Sequence, residues 1–179
     1  MRYNIDVELA FEIDKITESI ENAETGEPLE TLVLPVTKND LEEVTRKNGW
    51  LFDWKLEFSE PEKQVYKLVT EQEPQTIHGM VSFEKLKDHV LMHLIENAPL
   101  NRGKNKKYLG VCGNLTAYGC KLSMGYGFGG VIAFDPKTAL IAHYEKTLGA
   151  VLISERRMAI FEEQAKLLLE KYFPETEEE

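Results

Sequence analysis

Cysteine is almost missing from this chain: its 179 residues include only Cys112 and Cys120. The two lie on what reads as one loop and helix, and a rigid helix holds them too far apart to bridge. With no internal disulfide to staple the fold, a reducing, cytoplasmic setting is the expectation. Long apolar runs are missing too, and none approaches the length that spans a bilayer. The opening MRYNIDVELAFEID carries acids within its apolar part, unlike a secretory signal. Positive charge is short, with 21 Lys and Arg against 31 Asp and Glu and a net charge of -10. That balance argues against a nucleic-acid binder. It suits cationic partners such as amines or lysine-bearing proteins, although acidity more commonly just keeps a cytosolic protein soluble. The four histidines and two cysteines show no metal-ligand spacing, so no metal is expected. There is no GK[ST] loop for a nucleoside triphosphate and no G-x-S-x-G elbow.

What is present is enough apolar residue, 42% of the chain, to fill one core. No linker or repeat divides it. Residues 1–173 read as a single domain, and PETEEE at 174–179 reads as an acidic, frayed tail. Residues 5–22 are ambiguous: Ile13, Ile16 and Ile20 suit a helix, whereas the turn residues NAETGEP favour a hairpin. Thr31–Val36 predicts a strand, 37–48 a short helix stopped by Gly49, and the alternation of Phe52, Trp54, Leu56 and Phe58 a strand over 50–58. Gln64–Thr70, Ile77–Lys85 and His89–Asn97 continue as strands with short connections, an antiparallel meander. The second half changes rhythm. A helix over 110–126 ends in glycines, Val131–Phe134 is a short, fully apolar strand, and a helix over 138–148 stops at Gly149. Strands at 151–154 and 157–161 and a helix over 162–173 complete an α+β order with a central β-α-β crossover in a mixed, mostly antiparallel sheet. Ligands tend to bind where strands diverge beside such a crossover.

The stretch 103–149 carries the chemistry. Lys107-Tyr-Leu-Gly110-Val-Cys112-Gly113 places small residues where a helix begins. Backbone N–H groups there are unpaired within the helix and backed by its positive dipole end, which suits phosphate or pyrophosphate. The later helix carries His143-Tyr-Glu-Lys-Thr-Leu-Gly149, and its tyrosine can return to the same cleft.

These residues resemble the GNAT superfamily of acyl-CoA-dependent N-acyltransferases over about residues 30–161. The family's loop is Arg or Gln, two residues, Gly, one residue, then Gly or Ala. In this register Lys107 replaces Arg/Gln and Cys112 replaces Gly/Ala. Leu94-Ile-Glu-Asn-Ala-Pro99 looks like the end of the family's central strand. His143-Tyr144-Glu-Lys looks like its second hallmark, with Ala150 where Phe is usual and one extra residue before Gly149. The resemblance implies acetyl-CoA as co-substrate and an amine, small-molecule or protein-borne, as acceptor. CoA pyrophosphate would sit on the amides of Tyr108, Leu109, Gly110, Val111, Cys112, Gly113 and Asn114 beside Lys107. The pantetheine arm would lie along Leu94, Ile95, Glu96 and Asn97. Lys137 stands where the family often carries Asn and is grouped with the cofactor-binding residues. Tyr144 would be the general acid for the departing thiolate. Glu96 is the first choice of base, on one alternating face with Val90, Met92 and Leu94; Glu84 and His93 follow. Cys112 reads as a small loop residue, and His78 and His89 as surface residues. Family members often dimerise, so a homodimer is within what the resemblance implies. The altered loop positions and Lys137 keep open an alternative, a non-catalytic GNAT-fold binding or regulatory protein.

Overall fold

The computed structural model describes residues 7–14 and 19–174. Ile16 and most of the acidic tail lie outside them. Among the described residues ten strands and four α-helices follow one another: β1 (Ile20–Asn22), β2 (Pro28–Leu29), β3 (Thr31–Pro35), α1 (Trp54–Ser59), β4 (Lys63–Thr70), β5 (Gly79–Lys85), β6 (Val90–Asn97), β7 (Tyr108–Leu109), α2 (Val111–Gly125), β8 (Ile132–Phe134), α3 (Ile141–Leu148), β9 (Val151–Leu152), β10 (Met158–Ile160) and α4 (Glu162–Tyr172). Seven strands form the main sheet in the order β3-β4-β5-β6-β8-β10-β9, and β2-β1-β7 make a small second sheet. Neighbours in the main sheet are antiparallel except β6 and β8, which run parallel across the α2 crossover. No helix among the described residues is long and apolar enough to cross a membrane.

The α+β reading and the central crossover agree with this architecture, and two local expectations change. The turn after Asn22 does make a hairpin, β1 with β2. Residues 37–48 form two separate 3-10 turns, Asp40–Glu42 and Arg46–Asn48, instead of one helix. Residues 50–58 are no strand: the Asp53 side chain accepts from the Leu56 N–H at 3.0 Å and starts helix α1. An acceptor at that spacing satisfies an otherwise orphaned first-turn amide. Trp54 and Phe58 then fall on neighbouring turns instead of along a pleat.

Helix α2 lies close on the sheet because two glycines let it. A Cβ at Gly119 would meet Phe83 Cε1 at 2.6 Å. One at Gly79 of β5 would meet Val111 Cγ1 at 2.6 Å, Leu115 Cδ1 at 3.1 Å and the Glu96 carbonyl oxygen at 3.2 Å. Gly79→Ala should therefore overpack the seam between β5 and the start of α2, lowering stability by about 1–3 kcal/mol. Urea unfolding checks this, and an unchanged midpoint would contradict such tight packing.

Candidate active site

Strands β6 and β8 pair only at Val90↔Ile132 and Leu91↔Ala133. On the other side of β6, Phe83 pairs with Met92 and Ser82 with Leu94, which leaves His93 as the extra residue of a bulge. A bulge exchanges the faces of the residues beyond it. Glu96 therefore does not share a face with Val90 and Met92; it lies with Leu94, on the side away from Phe83. Past these two pairs β6 and β8 are no longer bonded to each other, and the sheet forks.

Residues 7–14 run into this fork. Leu9 pairs in parallel with Pro136; its N–H donates to the Asp135 carbonyl at 2.8 Å, and the Lys137 N–H donates to the Leu9 carbonyl at 2.7 Å. Leu9, Phe11 and Ile13 are buried while Glu8, Ala10 and Glu12 are exposed, the period of a strand. A cavity of about 350 Å³ remains between this segment and β6, lined among others by Ile95, Glu96, Asn97, Arg102, Lys106 and Cys112. Of the four β6 residues expected along a pantetheine arm, three face it.

At the loop, Gly110 takes a left-handed φ of 92° and leads into α2. Its N–H donates to Asp14 Oδ1 at 3.0 Å. Lys106 reaches the same carboxylate, with Nζ 3.0 Å from Asp14 Oδ2 and 3.0 Å from Glu12 Oε2. Burial works against the Lys106 charge, but the bonds to Glu12 and Asp14 outweigh it and hold its pKa above the usual lysine value. The residue beside the loop amide is thus Lys106; Lys107 is exposed, with its Nζ over the Tyr108 ring at 5.7 Å. The Tyr108 N–H donates to Asn101 Oδ1 at 3.1 Å, and Tyr108 and Leu109 pair with β1. Asn114 is buried, and its amide nitrogen donates to Thr31 at 3.1 Å. The N–H groups of Val111, Cys112 and Gly113 belong to the first turn of α2, which helix geometry leaves without intrahelical acceptors. The exposed Lys137 enters through its backbone, which holds Leu9.

Tyr144 is fully buried. Its hydroxyl donates to the Phe11 carbonyl at 2.6 Å, and its ring stacks on Phe11 with centroids 4.4 Å apart. Burial raises its pKa above the ordinary phenol value, so it stays protonated. Phe11, on which the Tyr144 ring stacks, lines the cavity, and Tyr144 does not. Cys112 does line it, and burial pushes the thiol up to about 12. That removes thiolate character. Cys112 and Cys120 are both free and buried.

Glu96 is held by donors on both oxygens. The Leu51 N–H donates to Oε2 at 2.7 Å; the Phe52 N–H and the Trp54 indole donate to Oε1 at 3.3 and 2.8 Å. Arg102 lies 3.8 Å from Oε2 and also donates to the Gly49 carbonyl. The misread stretch 50–58 is thus what Glu96 anchors. His93, at the bulge, bonds Glu84 through Nε2 at 2.8 Å, so the other two base candidates form one pair. His78 is not a surface residue: it is 2% exposed, next to Asn101, and burial lowers its pKa to about 4. Residues 7–14 were the part of the site missed from sequence. Their alternation of Val7, Leu9, Phe11 and Ile13 is the available signal, whereas the reading of 5–22 as hairpin or helix rests on Ile13, Ile16, Ile20 and the turn at 22–28.

Two stability measurements check these placements. Glu96→Ala strands the buried Trp54 indole and should cost about 1–3 kcal/mol in urea unfolding; an unchanged midpoint would show that the anchor is not holding α1. For His78, the unfolded ring protonates near 6.5 and the folded ring near 4. Its contribution is complete above pH 6.5 and is lost as pH falls toward 4, up to about 3 kcal/mol. His78→Asn should flatten that part of the stability profile, and parallel profiles would contradict the buried neutral ring.

No family model and no curated protein matches the chain. Solved structures do. A chimera of spermidine N-acetyltransferase from Vibrio cholerae and hSSAT superposes with a TM-score of 0.57 at 14% identity, covering 77% of this chain and 99% of that one. The Vibrio cholerae spermidine N-acetyltransferase in complex with CoA and spermine gives 0.53 at 13% identity, over 76% and 98%. A domain from Methanocaldococcus jannaschii gives 0.51 at 14%, over 73% and 96%. At these identities the likeness establishes architecture: the chain has the mixed, forked-sheet fold of the GNAT acetyltransferases.

Proposed function

We propose that the protein is an N-acyltransferase that moves an acetyl group from acetyl-CoA to an amine by direct attack. The observation that carries this reading is the grip on Asp14: the Gly110 N–H before α2 and Lys106 of the loop already hold its two carboxylate oxygens, one each. Phosphate oxygens make the same demand on donors, and more strongly. The cavity of about 350 Å³ beside Ile95, Glu96 and Asn97 falls within the range of small-molecule sites. In this reading the loop takes the pyrophosphate and the β6 edge takes the pantetheine arm. Acetyl-CoA supplies the activated thioester carbonyl. Tyr144 holds a proton in a dry site and can give it to the departing thiolate once Phe11 uncovers it. Both Glu96 oxygens are engaged, so we assign Glu96 to fixing the cavity wall at Leu51 and Phe52. Amine deprotonation falls to His93, where β6 and β8 part and Glu84 orients the ring. The net charge of -10 favours cationic acceptors. Two structural neighbours are spermidine acetyltransferases, so polyamines come first in a screen.

A second reading draws on the same contacts. With its loop filled by Asp14 and Tyr144 covered, the chain also suits a GNAT-fold binding protein in which residues 7–14 fill the cleft permanently. Following thiol release from acetyl-CoA with a polyamine panel separates the two. The enzyme reading expects amine-dependent release, reduced about 10²–10⁴-fold in Tyr144→Phe with CoA binding not weakened. Absence of both CoA binding and thiol release with any amine would favour the second reading.

A further inference from the structure

We propose that residues 7–14 are an internal latch on the cofactor cleft, with Asp14 standing in for a phosphate and released when a phosphorylated ligand takes its place. The proposal rests on the acyl-CoA reading of the fork. Three groups of contacts carry it. Glu12 and Asp14 hold Lys106, and Asp14 takes the Gly110 N–H, at the loop where that reading seats the pyrophosphate. The Phe11 carbonyl takes the Tyr144 hydroxyl, and the Phe11 ring covers it. Leu9 pairs with the chain after β8, and the Ile13 N–H donates to His143 Nε2 at 3.0 Å. One segment thus occupies the anion grip, the phenol and the fork edge together.

The chemistry of the contacts makes them exchangeable. A carboxylate on one amide and one ammonium is a weaker occupant than a pyrophosphate, which offers more charge and more acceptor oxygens to the same donors. Loss of the Asp14 grip removes the anchor at one end of the segment. Movement of Phe11 then frees Tyr144, so loading of the cleft and exposure of the acid are one event. The apparent affinity for CoA is lowered by the fraction of molecules in which the latch is closed.

Calorimetric titration of CoA into the full chain tests this, using wild type, Asp14→Ala and Glu8→Gln. Glu8 is an exposed carboxylate on the same segment that also lines the cavity, so it controls for simple charge repulsion. The latch expects Asp14→Ala to bind CoA about tenfold more tightly, and Glu8→Gln to stay within about twofold of wild type, as screening of an exposed charge allows. Equal affinity of wild type and Asp14→Ala would overturn the latch and leave the cofactor reading standing. Equal tightening by both substitutions would reduce it to electrostatics and also overturn it. No binding by any of the three would overturn both readings. Hydrogen exchange on the wild type gives an answer that needs no variant to fold. Under saturating CoA the Leu9 and Ile13 amides should lose protection; protection retained with CoA bound would overturn the latch.

Discussion

The parting of β6 from β8 after two residue pairs is the constraint on which the rest depends. A sheet that stops pairing in its own interior leaves backbone groups facing a gap, and buried backbone groups need partners. The chain after β8 meets that need with Leu9, whose carbonyl and N–H complete the ladder at Asp135 and Lys137. The bulge at His93 sits beside the point of divergence. The cavity along Ile95 to Asn97 lies beside this parting, with Lys106 and Cys112 from the loop and the start of α2 also lining it. The fork is filled from within by a segment whose apolar side packs on the core and whose acidic end reaches the loop.

Electrostatics and burial oppose each other at Lys106, and burial prevails at His78, Cys112 and Tyr144. Lys106 stays charged because Glu12 and Asp14 outweigh its desolvation, whereas at His78 and Cys112 burial is the larger effect and favours the neutral form. Tyr144 keeps its proton for the same reason as Cys112. Tyr144 thus keeps a protonated hydroxyl on the Phe11 carbonyl, and Lys106 keeps a charged ammonium on Asp14 and Glu12. The ligating groups on both are at present the protein's own.

Much of the framework was legible in the residues. Strands between Gln64 and Asn97, the helices after Gly110 and Glu162, and the crossover between β6 and β8 follow from period and punctuation, which report local burial. The errors lie where a side chain answers to something distant. Phe52, Trp54, Leu56 and Phe58 alternate like a strand, but Asp53 caps a helix there, and Glu96, more than forty positions later, holds its entry. The face of Glu96 was misassigned because a bulge leaves no mark on an apolar alternation. At the loop it is Lys106 that holds Asp14 beside the Gly110 amide, while its neighbour Lys107 is exposed. The alternation from Val7 to Ile13 is plain in the sequence, but alternation names no partner, and nothing local says that the strand it forms belongs in the fork.

A crystal structure of the full chain with CoA bound tests the central claim most directly. The account predicts the pyrophosphate on the Gly110 amide and Lys106, the pantetheine arm along Ile95 to Asn97, and residues 7–14 withdrawn from the Asp14 contacts. CoA bound elsewhere on the surface, with Asp14 still on Gly110, would contradict it.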